Sequence, residues 1–204
     1  MTENTNKIFQ IGFNKCATRA ICNFIGKAHN IDDEHIHHHR RGEIASHIFS
    51  DIHNGIKPLS RYPRVDEVRM FADMENVSKT NGGIPIMAYE YFKELYDAYP
   101  NSKFILNIRN KEDWIESRTN HNSNLGHLSY IKRWKKLCKI SENEVIELWA
   151  NQWDDHIQRV ENFFKGDKKH QLLTYHINND HHSKIVSFLD ELDFPPTAKM
   201  SKIK

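Results

Sequence analysis

The segment Phe104-Ile105-Leu106-Asn107-Ile108 puts four apolar side chains in five positions and is bounded by polar residues on both sides. A run this short and this apolar suits a strand covered on both faces, which points to a parallel sheet flanked by helices. Other short apolar runs, over 8–13, 68–73 and 172–175, are separated by longer stretches with helical spacing of apolar residues. That spacing predicts helices over 18–29, 43–54, 89–98, 111–120, 142–164 and 183–192. Strands alternating with helices predict an α/β fold with a mostly parallel sheet, built as one domain over 1–204. Residues 30–42 are polar and rich in His, and 121–140 reads as a surface excursion or lid.

Charge and cysteine usage narrow the function classes. A formal net charge of +2 leaves the whole-molecule field weak, which argues against a general nucleic-acid binder. A local basic pocket for a small anion remains compatible with it. No run approaches the roughly 18 apolar residues of a membrane-spanning helix, so no integral membrane segment is expected. The polar start, Met1 to Asn6, lacks a basic stretch followed by an apolar core. It predicts no secretory leader and a cytoplasmic location by default. Cys16, Cys22 and Cys138 are odd in number and have no metal-type spacing, which reads as reduced thiols.

Between the first predicted strand and helix lies Gly12-Phe13-Asn14-Lys15-Cys16-Ala17-Thr18-Arg19. A turn here exposes backbone N–H groups beside the positive end of a helix, which together make an anion site. Lys15, Thr18 and Arg19 add an ammonium, a hydroxyl and a guanidinium at the same place. A nucleotide-hydrolysing P-loop would read G-x-x-x-x-G-K-[ST], but here Ala17 and Thr18 stand at the second Gly and the Lys. That mismatch counts against ATP or GTP hydrolysis, because the P-loop lysine and hydroxyl position the phosphates and Mg²⁺. Arg109 ends the buried strand, and Ser117 follows eight residues later on the next predicted helix. The carboxyl end of a strand in an open α/β sheet is where ligands bind. The planar fork of an Arg suits a phosphate, and a hydroxyl can add a further hydrogen bond.

These two segments, in this order, resemble the donor-binding motifs of the sulfotransferase family. The first is similar to the 5′-phosphosulfate loop, with Lys15, Thr18 and Arg19 on matching positions, Cys16 replacing a small polar residue and Ala17 replacing the family glycine. The second resembles the 3′-phosphate motif through Arg109 and Ser117. The likeness covers most of residues 7 to 196, weakly between 30 and 65, and fits the short, bacterial-type branch best.

The resemblance implies a three-layer, P-loop NTPase-like fold. It implies a metal-independent transfer of a sulfuryl group from 3′-phosphoadenosine 5′-phosphosulfate (PAPS) to a hydroxyl or amine on a small molecule, glycan or lipid. It also implies that Asn14, Lys15, Cys16, Ala17, Thr18 and Arg19 bind the 5′-phosphate and that Arg109 and Ser117 bind the 3′-phosphate. Lys15 would also stabilise charge on the leaving phosphate. A base must take the acceptor's proton, and Asp73, at the end of a predicted strand, and His39, in the polar loop, are the candidates. The tract His35 to Arg41 lacks the Cys and His spacing of a structural zinc site and suits an anionic acceptor pocket instead. Trp134, with Lys132, Arg133, Lys135 and Lys136, suits a lid or an acidic-acceptor patch. Two other classes stay open: a small kinase using ATP and Mg²⁺, and a non-catalytic nucleotide-binding protein on the same fold.

Overall fold

The computed structural model describes residues 6–81 and 84–190. Five strands, β1 (Ile8–Gln10), β2 (Ile36–His38), β3 (Met70–Ala72), β6 (Lys103–Ile108) and β7 (Leu172–His176), form one sheet in the order β2-β3-β1-β6-β7. Each neighbouring pair is parallel. Two further strands, β4 (Glu75–Asn81) and β5 (Ile84–Met87), pair antiparallel as a separate ribbon. The helices are α1 (Thr18–Ala28), α2 (Glu43–His53), α3 (Phe92–Ala98), α4 (Lys111–Thr119), α5 (Tyr130–Cys138), α6 (Glu142–Phe163) and α7 (Ser183–Leu189).

Alternation along each strand feeds two cores, one on either face of the sheet. Phe9, Phe71, Phe104 and Leu106 enter the larger core, together with buried residues of α2 to α6. Ile8, Met70, Ala72 and Ile105 enter the smaller one, with Ile21 and Ile25 of α1 and Ile185 and Leu189 of α7. The result is the three-layer α/β arrangement expected. Phe9 stands between Phe71 and Phe104 across the sheet, with ring centroids 5.7 and 5.5 Å away.

Three features depart from the sequence expectations. First, β2 lies inside the His-rich stretch read as a loop. It is an edge strand in which only Ile36 is buried, so it carries almost no apolar signal. Second, the predicted strand over 68–73 is shorter, and the β4–β5 ribbon follows it unannounced. Third, the α5 part of 121–140 is neither a surface excursion nor a lid but packs into the core, while residues 123–126 stay exposed. Tyr130, Ile131 and Trp134 lie on one face of α5 and are buried, Trp134 at 0% exposure, while Lys132, Lys135 and Lys136 face outward. Aromatic and apolar residues three and four apart on a helix form one stripe, and that stripe docks on α6. The last predicted helix ends at Leu189, and its expected continuation past residue 190 lies outside the described residues.

Candidate functional site

In a parallel sheet, all the strands deliver their following loops to one edge. Loop 12–17 leaves β1, His39 leaves β2, Asp73 leaves β3 and Arg109 leaves β6, so the predicted site residues meet at the carboxyl edge. There they border a cleft of about 550 Å³ lined by Asn14, Lys15, Ala17, Thr18 and Arg19, with His38, His39, Asp73 and Ser117. Two predicted residues stand elsewhere. The Cys16 side chain is fully buried in the core, where burial pushes its thiol up to about 12. Arg109 stands behind the loop, its Nη1 donating to the Lys15 carbonyl at 3.4 Å and its Nη2 3.7 Å from Asp113.

The loop turns tightly, with Lys15 at φ 64° and Ala17 at φ 56°, both left-handed. Non-glycine residues cost roughly 1–2 kcal/mol in this region, so a glycine would fit position 17 with less strain than Ala17 does. Such a conformation persists only where surrounding contacts over-determine it, and several do. The Asn107 side-chain amide donates to the carbonyls of Phe13, at 3.1 Å, and Cys16, at 2.8 Å. The Trp114 indole donates to the Asn14 carbonyl at 3.0 Å. Gly12 is required by close approach, since a Cβ there would lie 2.2 Å from the Asn107 carbonyl oxygen.

The loop leads directly into α1, whose N-cap, Ala17, offers no side-chain cap and whose first turn carries no acid. The first N–H groups of a helix have no intrahelical partner, so this end is left to an external anion. Lys15 sits beside it, its ammonium pKa lowered by burial and raised in part by Asp73. Thr18 Oγ1 is hydrogen-bonded to His38 Nε2 at 3.0 Å.

The opposite wall is more acidic. Burial pushes Asp73 up to about 6; His39 and Lys15 oppose that shift, and Glu75 adds to it. His38 Nε2 lies 3.6 Å, and His39 Nδ1 4.0 Å, from Asp73 Oδ2. Burial, with Arg19 and His39 nearby, drops His38 to about 4. His39 and Arg41 are presented by a turn in which His39, Arg40, Arg41 and Gly42 all have positive φ. This turn is held by Asn76 Nδ2, which donates to the Gly42 carbonyl at 3.2 Å.

Sequence reasoning missed Glu75, Asn76, His121 and Tyr130, all of which line the cleft; His38 and Arg133 line it too, and the sequence marked them only as members of the His35 to Arg41 tract and of the basic run around Trp134. His38 was the residue next to the one chosen, and the strand register decides between them: His38 pairs with Ala72 at the end of β2. Glu75 and Tyr130 belong to strands and helices that left no local motif.

Among the described residues, no group of three or more His, Cys, Asp or Glu side chains is placed to hold a metal ion. No helix among them is long and apolar enough to cross a membrane. No curated protein matches the chain. Residues 7–199 match the family described as "Sulfotransferase domain", a span that takes in the anion loop, the Arg109–Ser117 pair and every strand of the sheet, and the chain belongs to that family.

Proposed function

We propose that this protein transfers a sulfuryl group from PAPS to a hydroxyl or amine of a small-molecule, glycan or lipid acceptor in the cytoplasm, acting as a single domain. The observation that carries this reading is the uncapped start of α1, where Lys15, Thr18 and Arg19 surround free helix N–H groups on a cleft that Ser117 also lines. The donor, when bound, supplies an activated sulfuryl group, and the chain's own residues bind, orient and move a proton. Thr18, Arg19 and the backbone of Asn14 to Ala17 hold the 5′-phosphate. Lys15 meets the negative charge that builds on the phosphate oxygen as its bond to sulfur breaks. Ser117 holds the 3′-phosphate from the cleft wall, and Arg109 joins it by turning its guanidinium from the Lys15 carbonyl toward the cleft.

The acceptor's proton passes to the acidic wall as its oxygen or nitrogen bonds to sulfur. Asp73 is the better candidate base, because its raised pKa brings a carboxylate nearer to neutrality, where a base works best. His38 and His39 flank it. No resident metal is part of this reading, since the cations around the loop meet the developing charge.

Calorimetric titration with 3′-phosphoadenosine 5′-phosphate in EDTA, set against ATP with Mg²⁺, tests it. Binding of the bisphosphate, lost in Arg109→Ala, is the expected result. Binding of ATP with Mg²⁺ in place of the bisphosphate would overturn the reading in favour of a kinase.

A further inference from the structure

Beneath the cleft lies a buried polar node that the reaction, as proposed, does not use. Arg118 of α4 is 0% exposed and Glu75 at the start of β4 is 2% exposed. Arg118 Nη2 donates to Glu75 Oε1 at 3.0 Å and to the Tyr130 hydroxyl at 2.7 Å. The Tyr130 hydroxyl itself donates to Glu75 Oε1. Four rings enclose the guanidinium, those of Trp114, Tyr130, Trp134 and Trp149, with centroids 4.7, 5.0, 5.2 and 4.5 Å from its central carbon. Tyr130 also accepts a hydrogen bond from the Asn14 side-chain amide at 2.8 Å, and Asn14 belongs to the anion loop.

The chemistry of a phenol fixes the direction of every bond in this node. A phenolic hydroxyl has one proton to give and two lone pairs to receive with. Burial pushes the Tyr130 pKa far up, so the proton stays on the oxygen. The proton goes to Glu75, the only anionic partner, and the lone pairs accept from Arg118 and from Asn14 Nδ2. The orientation of the Asn14 amide is therefore dictated from below: its nitrogen must face Tyr130, leaving Oδ1 buried with no partner among the described residues. One hydroxyl thus links three parts of the cleft: the loop after β1, the β4 wall after Asp73, and the helix that carries Ser117.

We propose that Tyr130 is a positioning residue that sets the anion loop through Asn14, with the buried Arg118–Glu75 pair fixing the direction of its hydroxyl. The loop needs such a tie because Lys15 and Ala17 are held in left-handed conformations. The other ties reach its backbone; the tie from Tyr130 is the one that reaches the Asn14 side chain. The consequence for donor binding rests on the function proposed above, whereas the consequence for loop order does not.

The test uses Tyr130→Phe, which keeps the ring and deletes the hydroxyl, together with Asn14→Ala and the double variant. Backbone hydrogen exchange is followed over residues 12–19, with β7 and α7 as internal reference. Expected is faster exchange in the loop, confined to the loop, in both single variants, and no further increase in the double. Bisphosphate affinity should fall about tenfold in each single variant and by no more in the double, about the loss of one hydrogen bond to a partly buried group. Unchanged loop exchange in Tyr130→Phe, or losses that add in the double variant, would overturn the proposal. Should Tyr130→Phe fail to fold, Asn14→Ala leaves the buried node in place, and unchanged loop exchange there is equally decisive. Failure of the wild type to bind the bisphosphate would sink the sulfotransferase reading alone, since the exchange measurement needs no ligand.

Discussion

The imidazole of His38 and the hydroxyl of Thr18 are hydrogen-bonded at 3.0 Å, so the end of β2 is fastened to the first residue of α1. The same Nε2 lies 3.6 Å from Asp73, which brings the anion loop and the acidic wall of the cleft within one imidazole of each other.

That arrangement sets a pH profile. Burial lifts Asp73 to about 6 and drops His38 to about 4, so near neutral pH His38 is uncharged and Asp73 ionised. A carboxylate base works only when ionised, so kcat/KM should fall as pH drops through 6. Asp73→Asn should remove that limb and lower the rate by about 10²-fold or more, the usual contribution of general-base catalysis. A rate profile flat between pH 5 and 7, or an acid limb that persists in Asp73→Asn, would remove Asp73 from this role.

Stability should carry a separate acid signature from His156. Its Nε2–H donates to the Ile11 carbonyl at 2.7 Å, its Nδ1 is buried with no partner among the described residues, and burial drops its pKa to about 4. A histidine whose folded pKa lies below its unfolded value of 6.5 contributes stability that is present above pH 6.5 and lost as pH falls through 4. The loss is at most about 3 kcal/mol from this one group. His38 acts in the same direction, and Asp73, with its raised pKa, in the opposite one. Denaturant midpoints measured from pH 7 to pH 4 should therefore fall more steeply in the wild type than in His156→Gln. A Gln keeps a donor for Ile11 and cannot charge. Equal slopes would refute the assignment.

Two single-residue changes in the loop should move in opposite directions. Gly12→Ala puts a Cβ 2.2 Å from a backbone oxygen that cannot rotate away, and should cost about 3 kcal/mol or more. Ala17→Gly relieves a left-handed φ of 56°, worth roughly 1–2 kcal/mol, against about 0.5–1 kcal/mol of added chain entropy in the unfolded state. It should be neutral to slightly stabilising, by about 0.5 kcal/mol, and should not weaken bisphosphate binding. Chemical denaturation distinguishes the two; a stabilised Gly12→Ala would contradict the close approach described for β6.

The buried ion pair should show strong non-additivity. Arg118→Met leaves Glu75 as an uncompensated buried charge, a change that costs about 3–5 kcal/mol in comparable pairs. Adding Glu75→Gln should restore part of that loss. If the double variant is as unstable as the sum of the singles, the two side chains are not acting as a pair.

The layered sheet was legible because the central strands β1 and β6 are apolar on both faces, so the run around Ile8 and Phe104 to Ile108 stand out, while the edge strand β7 still carries Leu172, Leu173 and Tyr175. The anion loop was legible because its chemistry is local: Lys15, Thr18 and Arg19 lie within one turn. What stayed hidden depends on contacts between distant segments. The edge strand β2 buries only Ile36 and exposes its histidines in part, so no alternation marks it. Arg118, beside Ser117, carries no signal of burial in the sequence. Its burial is decided by Trp134 and Trp149 of two later helices and by Glu75, 43 positions away. The basic run of α5 suggested an exposed face, and the Tyr130, Ile131 and Trp134 stripe on the other side of the same helix decided its packing.

The aromatic enclosure around Arg118 has an optical consequence. The chain has four tryptophans, and Trp114, Trp134, Trp149 and Trp153 are all buried in the core directly behind loop 12–19. Trp114 donates its indole N–H to that loop, and Phe13 of the loop has its ring centroid 4.4 Å from that of Trp153. All the tryptophan emission of this protein therefore arises from one buried cluster that touches the loop through Trp114 and Trp153, and a change in loop geometry on ligand binding should register in intrinsic fluorescence without a label.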